Sequence, residues 1–191
     1  MQHFSNSNFL ATASDDPVAP ANESGTQPSE GQTRIAIFTD GSSIGNPGHG
    51  GYGIVILRLS VTGEVLKQRE LSGSAAEITT NIRMEMTAAC VALEALGIVT
   101  DEPITVHCDA NLIPNAMNTW LSNWKAKGWR KSDGKPVENT DLWQRLERAA
   151  EGRNVTWEWV RGHNGTEHNE VADKLAYRAA RRAEAKATGA R

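Results

Sequence analysis

Three strand-like runs follow one another between residues 34 and 71 with only turns between them, and this succession constrains the fold more than any other feature of the chain. Arg34-Ile-Ala-Ile-Phe-Thr-Asp40 is the first, residues 53–59 the second and residues 64–71 the third. A glycine-rich turn over 41–53, containing Asn46-Pro47-Gly48, and a turn at Thr62-Gly63 separate them. Strands joined without helices form an antiparallel meander. From Thr80 onward the period changes. Ile82, Met86, Ala89, Cys90, Leu93 and Leu96 recur at helical spacing, with Thr80 or Asn81 as N-cap and Gly97 as stop. Short strands at 104–108 and 155–160 then alternate with helices over 112–124, 139–150 and 169 to about 182, the last with Val171, Leu175 and Ala179 facing inward. Parallel strands need helical crossovers, so the order βββ-α-β-α-α-β-α predicts an α/β fold, a mixed sheet flanked by helices.

Residues 1–33 do not share this patterning. They carry Asp15, Asp16, Glu23 and Glu30 and no Lys or Arg, a balance of −4 that leaves the rest of the chain at +1. Rich in Ser, Asn, Ala and Pro, they cannot bury enough surface to offset the entropy of ordering them, so a disordered acidic extension is expected. Phe4, Phe9 and Leu10 could form a short docking motif within it. The segment has neither a basic stretch followed by an apolar one, as a secretory signal would, nor the arginines of a mitochondrial presequence. No apolar run in the chain is long enough to span a bilayer. Cys90 and Cys108 sit in apolar stretches, outside any CxxC pair, and read as core thiols in a reducing compartment; a cytoplasmic monomer is expected. The domain boundaries follow as an extension over 1–33, one folded domain over 34–182 and a C-terminal tail over 183–191.

Four carboxylates stand at element ends. Asp40 closes the first strand, Glu85 lies in the first turns of the first long helix, Asp109 follows the fourth strand and Asp173 begins the last helix. Singly, each has a structural explanation as a turn residue or a helix N-terminal acid. Together they point to a site, because open α/β sheets place their sites at strand ends. Converging carboxylates repel unless cations lie between them, and hard oxygen ligands suit Mg²⁺ or Mn²⁺.

Thr39-Asp-Gly-Ser42, Gly45-Asn-Pro-Gly48 and Gly50-Gly-Tyr-Gly53 resemble the opening of the ribonuclease HI family. So do Thr79-Thr-Asn81 with Arg83-Met-Glu85, the Trp120 to Trp129 segment, Asp141-Leu-Trp143 and Trp157-Glu-Trp-Val160. Arg161-Gly-His163 through Asn169-Glu170 and Asp173 completes the ordered set, which covers residues 34 to about 182. The resemblance implies a five-stranded mixed sheet of order 3-2-1-4-5 and hydrolysis of the RNA strand of an RNA·DNA hybrid, leaving 5′-phosphate and 3′-hydroxyl ends. It implies that Asp40 bridges two Mg²⁺ ions, with Mn²⁺ as a substitute. Asp173 would join Asp40 on the ion nearer the attacking water, and Glu85 with Asp109 would hold the ion nearer the leaving oxygen. His163, between glycines, would assist proton transfer and product release. His3, His49, His107 and His168 read as structural.

For the substrate, the resemblance implies that Asn46, Asn81 and the backbone near Gly41 reach the sugars and base edges of the minor groove, and that Thr80 anchors a DNA-strand phosphate. Lys125, Lys127, Arg130, Lys131 and Lys135 face only Asp133 in charge, and with Trp124 and Trp129 they resemble the family's basic protrusion, which follows the DNA strand. Taken structurally, the same stretch is a solvated cationic face over core tryptophans; Trp120 and Trp143 are expected in the core. Ile78, Ile82 and Ala110-Asn111 depart from the family's commonest pattern, and none is among the four carboxylates. Two other readings are a non-cleaving hybrid-binding module, which requires loss of a metal ligand, and another two-metal nuclease on the same fold, which would lack the protrusion.

Overall fold

The computed structural model describes residues 33–97, 99, 101–162 and 166–189. Five strands, β1 (Arg34–Ile44), β2 (Gly48–Leu59), β3 (Val65–Thr79), β4 (Ile104–Cys108) and β5 (Val155–Trp159), form one sheet in the order β3-β2-β1-β4-β5. β1, β2 and β3 pair antiparallel, while β4 runs parallel to β1 and β5 parallel to β4. The helices are α1 (Asn81–Glu94), α2 (Leu112–Asn115), α3 (Leu121–Ala126), α4 (Thr140–Ala150) and α5 (Glu167–Thr188), with a π-helical turn (Ala116–Trp120) joining α2 to α3. The mixed sheet and its expected strand order are the observed ones. No described helix is long and apolar enough to cross a membrane.

β1 is the central strand and is buried on both faces, which explains its unbroken apolar run. Ile35 and Ile37 pack with Met86, Ala89, Cys90 and Leu93 of α1, whereas Ala36 and Phe38 join Val55, Leu57 and Ala172 on the α5 side. His107 of β4 stacks on Phe38 with ring centroids 4.5 Å apart, a structural role as expected. Cys90 and Cys108 are free and buried, and burial pushes both thiols up to about 12, so neither ionises near neutrality.

The meander is longer than its hydrophobic pattern. β1 continues to Ile44, β2 starts at Gly48 and β3 reaches Thr79, so most of the glycine-rich stretch is strand and not turn. The glycines are there for contact. A Cβ on Gly53 would lie 2.0 Å from the Ala172 carbonyl oxygen, and one on Gly51 2.3 Å from the Ala180 nitrogen. α5 therefore lies directly on the backbone of β2, and its buried row is Ala172, Ala176, Ala179 and Ala180. Val171 and Leu175 are only half-buried, because a large side chain has no room on the face that meets the glycines. α5 also continues past the expected end near residue 182, through the helix-favouring Ala-Glu-Ala-Lys run, to a left-handed Gly189 cap.

Candidate active site

The parallel ladder between β1 and β4 ends at Thr39 opposite Cys108. The next residue on each strand is a carboxylate, Asp40 and Asp109, at the point where the two chains part. Glu85 reaches them from α1, and the reason is Gly41. A Cβ there would fall 2.1 Å from the Glu85 nitrogen, so the missing side chain lets α1 rest backbone to backbone on β1, and the Gly41 amide N–H donates to the Glu85 carboxylate. Thr80 caps the helix, its Oγ1 accepting from the Arg83 N–H at 3.4 Å.

One oxygen from each of Asp40, Glu85 and Asp109 lies within 4.8 Å of the other two. Asp40 and Glu85 are buried, only 5% and 4% exposed. Burial foremost, then the charges of Asp109 and Asp173, raises Asp40 from 3.8 to about 8. Burial and the charges of Asp40 and Asp109 hold Glu85 well above the usual carboxylate range, against the Gly41 N–H. Asp173, on α5, thus approaches from the opposite side, near enough for its charge to act on Asp40.

Glu85 Oε2 and Asp109 Oδ1 are buried without a hydrogen-bond partner among the described residues. Carboxylates buried this close together are costly to ionise unless a cation joins them, and an all-oxygen donor set fits a hard divalent ion such as Mg²⁺ or Mn²⁺. Asn46 and Asn81 come together beside this cluster. Asn46 Oδ1 accepts from the Asn81 N–H at 3.2 Å, and Asn81 Nδ2 donates to Glu85 Oε1 at 3.5 Å, so the 45–47 turn and the start of α1 form one unit. His163 lies outside the described residues.

Residues 32–181 match the family model RNase H. The chain belongs to the ribonuclease H family. It is 50% identical over 148 residues to the ribonuclease H of Serratia proteamaculans (strain 568), covering 77% of this chain and 89% of that protein. It is 50% identical over 142 residues to the ribonuclease H of Paracoccus denitrificans (strain Pd 1222), covering 74% and 89%. Among solved structures it resembles LC9-RNase H1, a type 1 RNase H with the type 2 active-site motif, with a TM-score of 0.70, 31% identity and coverage of 80% of this chain and 74% of that one. It also resembles LC11-RNase H1, crystallised in complex with an RNA/DNA hybrid, with a TM-score of 0.59, 27% identity and coverage of 79% and 99%.

In this ribonuclease H the basic segment is less free in charge than its composition. Lys125 is ion-paired with Glu147 of α4, Lys131 Nζ lies 3.1 Å from Glu138 and Lys135 Nζ 3.3 Å from Asp133. Arg130 Nη1 donates to the Gly134 carbonyl at 2.9 Å. Lys127 makes no ion pair among the described residues. The backbone reverses at Gly128 and Trp129, both with φ of 62°, and the Trp129 N–H returns to the Trp124 carbonyl at 2.7 Å. Trp124 and Trp129 are half-buried against the core, so each serves as a base for the segment. Trp143 is core, but Trp120 is 37% exposed and not buried as expected. The π-helical turn adds a residue before it and rotates the helix face that the sequence spacing assumed. Trp120, Trp124 and Trp143 form a ladder from surface to core with centroids 5.7 and 5.6 Å apart, lining a cleft of about 260 Å³ between this segment and Ile82 of α1.

Three supports lie outside the expected site residues. Trp159 Nε1 donates to the Asp109 carbonyl at 3.0 Å, fixing the backbone of that carboxylate. Arg83 grips both Asp141 oxygens, at 2.6 and 3.1 Å, and Asn139 Oδ1 at 3.0 Å, tying α1 to α4. Asn169, 3% exposed, has a buried Oδ1 without a hydrogen-bond partner among the described residues, one helical turn before Asp173. Its i, i+4 spacing from Asp173 is the signal that could have found it.

Proposed function

We propose that this ribonuclease H hydrolyses the RNA strand of RNA·DNA hybrids at the Asp40–Glu85–Asp109 cluster, with Asp173 as fourth carboxylate, leaving 5′-phosphate and 3′-hydroxyl ends. The observation that carries the reading is three carboxylates gathered within 4.8 Å, two of them buried and one raised to about 8, a concentration of acidic oxygens that cations among them would neutralise. Two Mg²⁺ ions, or Mn²⁺ in their place, would be held by these four residues and would supply charge neutralisation at the reacting phosphate and a lowered pKa for the attacking water.

The chain's own residues do the rest. Asp40 lies between Asp109 and Asp173 in the field they create, which suits it to bridge two ions. Glu85 and Asp109 offer their orphaned oxygens on one side. His163 would accept and release a proton as product leaves. Asn46, Thr80 and Asn81, locked together at the start of α1, would read the minor groove and anchor a DNA-strand phosphate, with the backbone near Gly41 beside them. Lys125, Lys127, Arg130 and Lys131, over Trp124 and Trp129, would follow the DNA strand by charge and stacking. Buried, free Cys90 and Cys108 agree with a reducing, cytoplasmic compartment, and the proposed catalytic unit is a monomer of residues 34–182. Matched RNA·DNA, RNA·RNA and DNA·DNA duplexes, incubated with and without Mg²⁺, test the reading. Cleavage of the RNA strand of the hybrid alone, and only with the metal, is expected; cleavage of DNA·DNA, or metal-independent cleavage, overturns it.

A further inference from the structure

A cleft of about 360 Å³ lies at the end of the sheet opposite the carboxylates, where β1 begins. Its floor is apolar, from Ile35, Ile56 and Leu96, and its rim carries Lys67 and Arg69 of β3 and Arg58 of β2. Arg58 is already ion-paired with Glu102 at 2.8 Å, whereas Lys67 makes no ion pair among the described residues. Apolar floor and cationic rim together fit a short segment that combines large apolar side chains with carboxylates.

The chain itself carries such a segment, and the described part of the chain begins at the rim. Thr33, the first described residue, donates from Oγ1 to Glu102 and accepts from Arg58 Nε at 3.3 Å, and both partners line the cleft. Ahead of it lie Phe4, Phe9 and Leu10, followed by Asp15 and Asp16, with no Lys or Arg among residues 1–33. The 22 residues between Leu10 and Thr33 could extend about 70 Å, far more than a return to a neighbouring cleft requires. Tethering so close to the site gives the segment an effective concentration on the order of millimolar, so even a weak motif would stay bound.

We propose that residues 4–16 of this chain occupy the Ile35–Ile56–Leu96 cleft, Phe9 and Leu10 on its floor and Asp15 and Asp16 against Lys67 and Arg69. The contact lies away from the carboxylate cluster and covers half-buried Leu96 with the small part of Ile35 and Ile56, 8% of each, that is still exposed.

The chain's three phenylalanines, Phe4, Phe9 and Phe38, make the test direct. The full-length protein labelled with fluorophenylalanine gives three ¹⁹F resonances, assigned by substitution. Phe38 is buried in the sheet and reports folding in the same spectrum. Expected is a Phe9 resonance shifted and broadened away from the free-peptide position, returning to it in the double variant Lys67→Glu/Arg69→Glu while Phe38 is unmoved. Should that variant disturb Phe38, Asp15→Asn/Asp16→Asn removes the complementary charge without touching the fold and is expected to release Phe9 in part. Sharp, free-peptide resonances for both Phe4 and Phe9 in the unmodified protein overturn the proposal. A Phe9 shift that depends on protein concentration also overturns it, since the occupant then comes from a second copy.

Discussion

The carboxylate end and the basic segment of this ribonuclease H are built by opposite means. At the carboxylates, backbone lies on backbone: Gly41 meets α1, Gly53 meets α5, and the charged groups are positioned by elements packed at that range. In the segment from α3 to α4, the chain turns on two left-handed residues over half-buried tryptophans, and its cations are exposed and partly neutralised by Glu147, Glu138 and Asp133. The first arrangement leaves no space for a side chain between the packed backbones; the second leaves its side chains largely at the surface. Chemistry needs carboxylates fixed to within fractions of an ångström, whereas tracking a polyanion needs charge in the right region. Changes at the first should reduce turnover and stability, and changes at the second should reduce affinity alone.

Asp40→Asn should break the contrast most sharply. The amide is nearly isosteric but removes the charge at the centre of the cluster, so turnover should fall by roughly a thousandfold or more, on the order of several kcal/mol of transition-state stabilisation, with hybrid binding retained. The same variant carries a pH signature in metal-free protein. Because the folded-state pKa of Asp40 is raised from 3.8 to about 8, its contribution to stability is fully present below about pH 4 and is lost as pH rises toward 8. Metal-free protein should therefore become less stable on going from pH 5 to pH 7, by about 1 kcal/mol per pH unit for one proton. Asn at this position should flatten the slope, and Mg²⁺ should offset the fall. Chemical denaturation across that range without metal checks both, and an unchanged slope in the variant would remove Asp40 from the centre of the cluster.

Gly41→Ala comes next. The new methyl would sit 2.1 Å from the Glu85 nitrogen, against backbone that cannot give way without moving α1. A destabilisation of about 2–4 kcal/mol is expected, with kcat falling further than KM rises. Unaltered kcat in a folded Gly41→Ala protein would show that Glu85 tolerates displacement.

The smallest effect belongs to the basic segment. Lys127→Ala/Arg130→Ala should raise KM severalfold and leave saturated turnover near that of the unmodified enzyme. It should also lessen the salt dependence of hybrid binding, by roughly 0.7–0.9 in log–log slope for each phosphate that the two side chains had neutralised. Lys125→Ala/Lys131→Ala should do less, because both lysines already face a glutamate. Equal effects from the two pairs would mean that the hybrid displaces Glu147 and Glu138 from their partners. Affinity unaltered in both would leave it to the groove contacts proposed for Asn46, Thr80 and Asn81.

Elements whose burial is carried by large side chains are legible in the sequence. β1, β4, β5, α1 and α4 appear within a few residues of where periodicity places them, and Asp40, Glu85 and Asp109 converge as their positions at element ends suggest. Structure made by small residues is not legible in the same way. Gly50, Gly51 and Gly53 read as a turn because glycine usually marks one, yet each is a strand residue whose Cβ would strike a neighbouring element. The buried alanine row of α5 hides behind Val171 and Leu175 for the same reason: a search for large apolar residues misses an interface built by omitting them. β3 is an edge strand with most of its residues exposed, so it shows no alternation beyond Leu71. Pairings between distant side chains, such as Arg83 with Asp141 and Trp159 with the Asp109 carbonyl, have no local signature at all.

The Trp159 bond has a practical side. An indole N–H resonates in an uncrowded region of a proton–nitrogen spectrum, and this one is hydrogen-bonded to the main chain of a carboxylate in the cluster. Trp159 is also 53% exposed, within reach of a soluble quencher. Followed in ¹⁵N-enriched protein as Mg²⁺ is added, that one resonance would report whether the main chain of Asp109 shifts when an ion is taken up.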